Sequence, residues 1–166
     1  MNRRQLIATA AAGLGLGSLI EVVTGGGDAM INEPSDEFEV TKTDAEWRQS
    51  LTNGQYYVLR HHDTEFAGSS PLLREHRQGT YRCAGCGRPL FSSETKYESG
   101  SGWPSFTAPL DEAVGTSVDA SLGMVRTEVH CRHCGGHLGH VFEDGPRPTG
   151  LRYCVNGTAL DFAPDK

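Results

Sequence analysis

Basic charge is in short supply. The chain has 15 Lys and Arg against 21 Asp and Glu, a formal net charge of -6, and nowhere are the cations gathered into a stripe. The electrostatic footprint of a nucleic-acid binder is therefore missing, and the mild acidity speaks only to solubility. No internal repeat occurs beyond a duplicated cysteine pair, and no low-complexity segment follows the first 42 residues. No cysteine stands directly after the N-terminal apolar run, so a lipoprotein anchor is not expected. At 166 residues the chain is long enough for one proper core and too short for two.

Glycine is plentiful, with 21 residues, and the apolar runs are short. Together these predict a mainly β, turn-rich fold rather than a helix bundle. The start of the chain follows a different pattern. Arg3-Arg4 precedes an apolar run from Leu6 to Val23 built of Ala, Gly, Leu, Ile and Val. This resembles a twin-arginine export signal. The other reading is a single membrane anchor, since the run approaches the roughly 18 residues that a span needs. Residues 1–30 are thus expected to be an export signal, 31–42 a linker and 43–166 the folded domain. The expected location is periplasmic or otherwise extracytoplasmic, reached folded through the twin-arginine machinery, with a membrane anchor retained if the signal is not cleaved.

Thr43-Asp44-Ala45-Glu46 is a capping-box pattern and predicts a helix from Asp44, with Trp47 and Leu51 on one face. Asn53-Gly54 is expected to end it, and residues 60–71 to form a polar loop. From Gly79 onward short strands are expected at 80–82, 90–91, 103–106, 124–130, 137–142, 151–155 and 160–162, separated by Gly, Asn-Gly and Asp-Gly-Pro turns. Along 124–130, Arg126, Glu128 and His130 fall on one side and Val125, Thr127 and Val129 on the other.

Four of the five cysteines form two matched pairs, Cys83-Ala84-Gly85-Cys86-Gly87 and Cys131-Arg132-His133-Cys134-Gly135. Two residues between thiolates let one turn of backbone present both sulfurs to one metal, and the following Gly permits the tight return. Two such knuckles supply a closed tetrahedral set for one structural zinc ion. Two disulfides, or a redox-active pair, are the competing readings in an exported chain. A filled four-sulfur site has no open position for substrate, so this zinc would clamp rather than catalyse.

Cys154 is left over. It sits in Arg152-Tyr153-Cys154-Val155-Asn156, and in a strand Arg152, Cys154 and Asn156 point to one face. A guanidinium so placed is expected to lower the thiol's pKa. On the strand pattern alone a buried core cysteine is an equal reading.

Taken together, the two knuckles, Lys96-Tyr97-Glu98-Ser99-Gly100 running into Gly102-Trp103-Pro104-Ser105-Phe106, His137-Leu138-Gly139-His140-Val141-Phe142, Asp144-Gly145-Pro146 and Arg152-Tyr153-Cys154-Val155-Asn156 resemble the methionine-(R)-sulfoxide reductase family. The resemblance runs from about Thr43 to Ala163 in the family's order. It implies two antiparallel sheets rolled into an open barrel, with short helices on the N-terminal side. It implies a monomer that reduces methionine (R)-sulfoxide in oxidised proteins and peptides. By the same resemblance Cys154 is the nucleophile, Trp103 and Phe142 wall the pocket for the sulfur-bound methyl, His137 and His140 flank the sulfoxide oxygen, and Arg152 and Asn156 surround the nucleophile.

Many members carry a resolving cysteine two residues before the Trp, and here that position is Ser101. The expectation is that an external thiol, a thioredoxin-like protein or a small thiol, reduces the sulfenic acid. Two other readings stand beside this one: a zinc-stabilised β domain that only binds, and a thiol enzyme or redox sensor acting on another substrate.

Overall fold

The computed structural model describes residues 38–166, so the expected export signal, and the linker up to residue 37, lie outside the described residues. Among the described residues no helix is long and apolar enough to cross a membrane.

Two short helices come first. Helix α1, Asp44–Ser50, starts at the predicted box: the Thr43 side chain accepts from the Glu46 N–H while the Glu46 carboxylate accepts from the Thr43 N–H. Helix α2, Asn53–His61, starts at a second box of the same kind, Thr52 with Gln55. This corrects the expectation that Asn53-Gly54 ends a helix and that Arg60 and His61 lie in a loop. The hydroxyl and amide of the second box satisfy the free N–H groups of the first turn, which outweighs the poor helix propensity of Asn and Gly. The two helices bury Trp47, Tyr56, Val58 and Leu59.

Nine strands follow among the described residues: β1 Gly79–Cys83, β2 Pro89–Ser92, β3 Lys96–Tyr97, β4 Ser105–Phe106, β5 Val114–Asp119, β6 Arg126–Cys131, β7 His137–Phe142, β8 Arg152–Val155 and β9 Leu160–Pro164. They form two antiparallel sheets, one in the order β2-β1-β9 and one in the order β3-β4-β8-β7-β6-β5. The mainly β expectation holds. Three expected strands start later than read, since 103–104, 124–125 and 151 lie outside β4, β6 and β8, and β3 and β5 were not anticipated. Strand β5 is an edge strand with exposed Thr116, Ser117 and Val118. It lacks the apolar alternation by which a half-buried strand is recognised.

The core lies between the sheets and under the helices. Phe106 of β4 stacks on Phe91 of β2 with ring centroids 4.3 Å apart, and Tyr81 of β1 meets Phe106 edge-on at 5.0 Å. All three are fully buried. Each such ring contributes about 1.5–3 kcal/mol by leaving water, so the three form the main apolar joint between the sheets.

Register in the larger sheet sets the functional geometry. Cys154 on β8 pairs with Ser105 on β4 and with His140 on β7, His140 pairs with Glu128 on β6, and Glu128 with Ser117 on β5. Directly opposed residues present their side chains to the same face, so one row across five strands carries Ser, Cys, His, Glu and Ser. An irregularity between Val129 and His130 then pairs His130 with His137.

Candidate active site and thiolate cluster

The two knuckles come from different sheets. Cys83 ends β1 and Cys131 ends β6, and each is followed by the same tight return. Gly87 donates its N–H to the Cys83 carbonyl at 2.8 Å and Gly135 to the Cys131 carbonyl at 2.9 Å, with φ of 74° and 66°. Only glycine adopts such left-handed backbone without penalty. The four sulfurs lie within 4.8 Å of one another, with Cys83–Cys134 at 3.7 Å and Cys86–Cys131 at 3.6 Å. Zinc–sulfur bonds of about 2.3 Å at tetrahedral angles put sulfurs about 3.8 Å apart, whereas a disulfide needs about 2.05 Å. The donor set therefore fits one zinc ion and not two disulfides.

The flanking histidines are outside this set. His133 bonds Glu39 at 2.6 Å, and His130 packs edge-on against Phe38. Val40 donates to the His133 carbonyl at 2.8 Å, so residues 38–40, read as linker, pack on the second knuckle.

Cys154 is the one cysteine among the described residues outside that cluster. Half-buried, it lies in a small cavity of 130 Å³ lined by Thr64, Trp103, Arg126, Gly139, His140, Phe142 and Asn156. Four residues predicted from sequence, Trp103, His140, Phe142 and Asn156, thus meet at the predicted nucleophile. Two do not. His137 is 2% exposed and lies behind the cavity wall, its ring 5.4 Å from that of His140 and its Nδ1 2.7 Å from Glu128 Oε1. Arg152 lines a neighbouring, more polar cleft of 460 Å³ together with Tyr97, Ser101 and Asp144. Its guanidinium forks onto Asp144 with two 2.8 Å bonds and lies 4.4 Å from the Phe142 ring centre.

This arrangement corrects the expected ionisation of Cys154. Burial pushes the thiol up from its ordinary value, and the Ser101 hydroxyl and the Arg152 charge offset only part of that. Arg152 has a competing carboxylate, and desolvation penalises the charged form of the thiol directly. His140 is pushed down, again by burial first, with the hydrogen bond to Asp119 working the other way.

Several supporting residues carried no signal in the sequence. Asp119 Oδ2 lies 2.7 Å from His140 Nε2 and accepts from Arg126 Nη2 at 2.7 Å. These three residues come together because Asp119 pairs with Arg126 across β5 and β6. Arg126 Nε is buried without a hydrogen-bond partner among the described residues. Glu65 fixes the loop that carries Thr64. Its carboxylate accepts from Gly157 N at 2.5 Å and from Thr158 N and Oγ1, its N–H donates to Asn156 Oδ1, and its carbonyl accepts from the Trp103 indole at 3.1 Å. Asn156 in turn donates Nδ2 to the Leu138 carbonyl. Its amide ties the loop to β7 while one face lines the cavity. Only the alternation that puts Arg126 and Glu128 on one side of β6 was readable beforehand.

Residues 51–164 match the SelR domain. The chain belongs to the methionine-(R)-sulfoxide reductase family. Its relatives include a peptide methionine sulfoxide reductase MsrB of Leptospira interrogans, 57% identical over 126 residues that cover 75% of this chain and 96% of that protein. Proteins of the same name from Agrobacterium fabrum (53% over 127 residues, 76% and 94% covered) and Leifsonia xyli (53% over 131 residues, 78% and 94%) match over nearly the same span. The family's expected sheets, helices and sulfur cluster are thus all in place.

The raised Cys154 thiol gives a direct prediction. Iodoacetamide alkylation of Cys154, followed by peptide mapping, should rise through a pH above that of a free thiol, and Arg152→Ala should move the midpoint higher still. A midpoint below that of a free thiol would contradict the dominance of burial.

Proposed function

We propose that this chain is a peptide-methionine (R)-S-oxide reductase in which the Cys154 thiolate attacks the sulfoxide sulfur. The observation that carries the reading is the small cavity in which the Cys154 sulfur lies among aromatic walls, Trp103 and Phe142, and polar walls, His140 and Arg126. Sulfur–aromatic contacts favour the methyl thioether end of the substrate. The sulfoxide oxygen, a strong acceptor, then faces the polar wall, and fixing both ends selects one epimer at sulfur.

The reaction balances within this site. The Cys154 sulfur bonds to the sulfoxide sulfur as the oxygen takes a proton from the His140 side; the S–O bond then breaks, the oxygen passes to the Cys154 sulfur as hydroxyl, and the S–S bond breaks to release the thioether. The sulfoxide is reduced to the thioether, and Cys154 is oxidised to a sulfenic acid. A neutral thiol gives up the proton that the oxygen requires, and His140 is placed to relay it. Zinc, held by Cys83, Cys86, Cys131 and Cys134, supplies only a structural clamp.

Resolution of the sulfenic acid is external in this reading. Ser101 Oγ lies 3.8 Å from Cys154 Sγ, where a thiol could otherwise act, and the other four cysteines are gathered into the cluster. One external thiol condenses with the sulfenic acid, forming a mixed disulfide and releasing water. A second thiol, or the second sulfur of a thioredoxin-like dithiol, then frees Cys154. The twin-arginine pattern supports a role in repairing exported proteins.

Four measurements test this reading. With a peptide of resolved sulfoxide epimers and a dithiol, loss of the R epimer alone is expected, and Cys154→Ser should abolish it while metal content stays intact. Mass spectrometry after one anaerobic turnover should find no internal disulfide in the wild type, whereas Ser101→Cys should form one to Cys154; an internal disulfide in the wild type would refute external resolution. Asp119→Asn removes the group that raises the pKa of His140. Burial is then unopposed, His140 loses its proton at lower pH, and the alkaline limb of kcat/KM should shift downward, with a rate loss of up to about 100-fold, the low end of what an acid–base group contributes. For export, cell fractionation should find the full chain outside the cytoplasm and Arg3→Lys with Arg4→Lys inside it; an unchanged distribution would remove that part of the proposal.

A further inference from the structure

Three ligating side chains from separate elements converge beside the reductase cavity, away from the four sulfurs. His62 follows α2, Glu128 is on β6 and His137 on β7. Their donor atoms all lie within 4.8 Å of one another. His62 Nδ1 is 3.1 Å and His137 Nδ1 2.7 Å from the same oxygen, Glu128 Oε1. The two imidazoles lie 4.8 Å apart between centroids at an angle of 32°.

We infer that His62, Glu128 and His137 form a second metal site for a divalent ion that prefers nitrogen and oxygen, such as Zn²⁺ or Co²⁺. Two imidazoles and a carboxylate are a donor set such ions favour. Bonds of about 2.0–2.1 Å at tetrahedral angles separate ligand atoms by about 3.3 Å, so the two N–O distances need to open by only a few tenths of an ångström. Glu128 presents Oε1 to both imidazoles. Its other oxygen, Oε2, accepts from Ser117 Oγ at 2.5 Å, which orients the carboxylate and supports it from behind.

His62 supplies the entry path. Its side chain is 61% exposed, so an ion can reach the tripod from solvent while Glu128 and His137 stay buried. His62 also caps α2 with φ of 56°, a left-handed conformation uncommon for a residue with a Cβ. That turn carries the imidazole back over His137 rather than onward along the chain. Each Nδ1 binds as the neutral ring, with its remaining proton moved to Nε2 or released, and the open positions are left to water.

The ion would place positive charge behind His140, whose ring lies 5.4 Å from that of His137, and disfavour its protonation. It would thereby slow the reaction proposed above. That consequence rests on the proposed function, whereas uptake of the ion does not. The full chain, carrying one zinc per four-cysteine cluster, is titrated with Co²⁺ and assayed for metal content, visible absorption and sulfoxide reduction. The expected result is one cobalt beyond the retained zinc, with ligand-field bands but no sulfur-to-cobalt charge transfer, and its loss in His62→Ala with the zinc unchanged. Failure of the wild type to take up cobalt, the same uptake by His62→Ala, or a sulfur charge-transfer band would each overturn the site. Cobalt should reversibly inhibit the wild type and leave His62→Ala unaffected. Uptake without inhibition would uphold the site and overturn its link to the reaction.

Discussion

Four sulfur atoms join the two sheets, and the rest of the structure depends on that joint. Cys83 closes a strand of the three-stranded sheet and Cys131 one of the six-stranded sheet, and the chain between the knuckles carries Trp103, the aromatic wall of the cavity. With both ends of this segment held at one point, Phe91 and Phe106 can stack at 4.3 Å between the sheets. The apolar contact and the metal-ready cluster reinforce each other. The first supplies free energy spread over the interface, and the second fixes where the sheets cross.

From that joint the register follows, and from the register the chemistry. Antiparallel pairing sets Cys154 opposite His140, and His140 opposite Glu128. A slip of one residue would turn every one of these side chains to the other face. The cavity is therefore a property of the sheet. Its loops only close it: Glu65 fastens the edge carrying Thr64 through three acceptor contacts to Gly157 and Thr158 and through the Trp103 indole.

Much of this was legible in the sequence because local rules wrote it there. The Thr43 box, β7 with its bounds, and the two knuckles are signalled within a few residues each. Apart from the second helix start, what escaped depends on distant partners. The second helix start was hidden because Asn53-Gly54 reads as a breaker unless Gln55 is seen to cap Thr52. Strand β5 has little apolar content and owes its order to β6. Asp119 and Glu65 reach His140, Asn156, Gly157 and Thr158 across 21 and 91–93 positions. The thiol's ionisation was misread for the same reason, since the sequence places a cation two residues off but shows neither the depth of burial nor Asp144 on the other side of Arg152.

That misreading bears on how the reaction proceeds. Burial raises the Cys154 thiol and lowers His140, so the resting pair favours neutral forms on both sides. Reduction of a sulfoxide by a thiol consumes no net proton: the hydrogen on sulfur ends on the sulfenic oxygen. In the proposed mechanism a half-buried thiol that rests neutral already carries the proton the reaction needs, and it avoids maintaining a desolvated ion pair between turnovers. Charge separation is required only as the S–O bond breaks. In the proposed mechanism the Asp119 carboxylate, 2.7 Å from His140, would stabilise a protonated His140 at that point, while Arg126, also paired to Asp119, would add positive potential beside the departing oxygen. Fixed charges of that kind act most strongly where water is excluded. On this view the burial that makes Cys154 a poor thiolate at rest also strengthens the polar wall when the substrate oxygen departs.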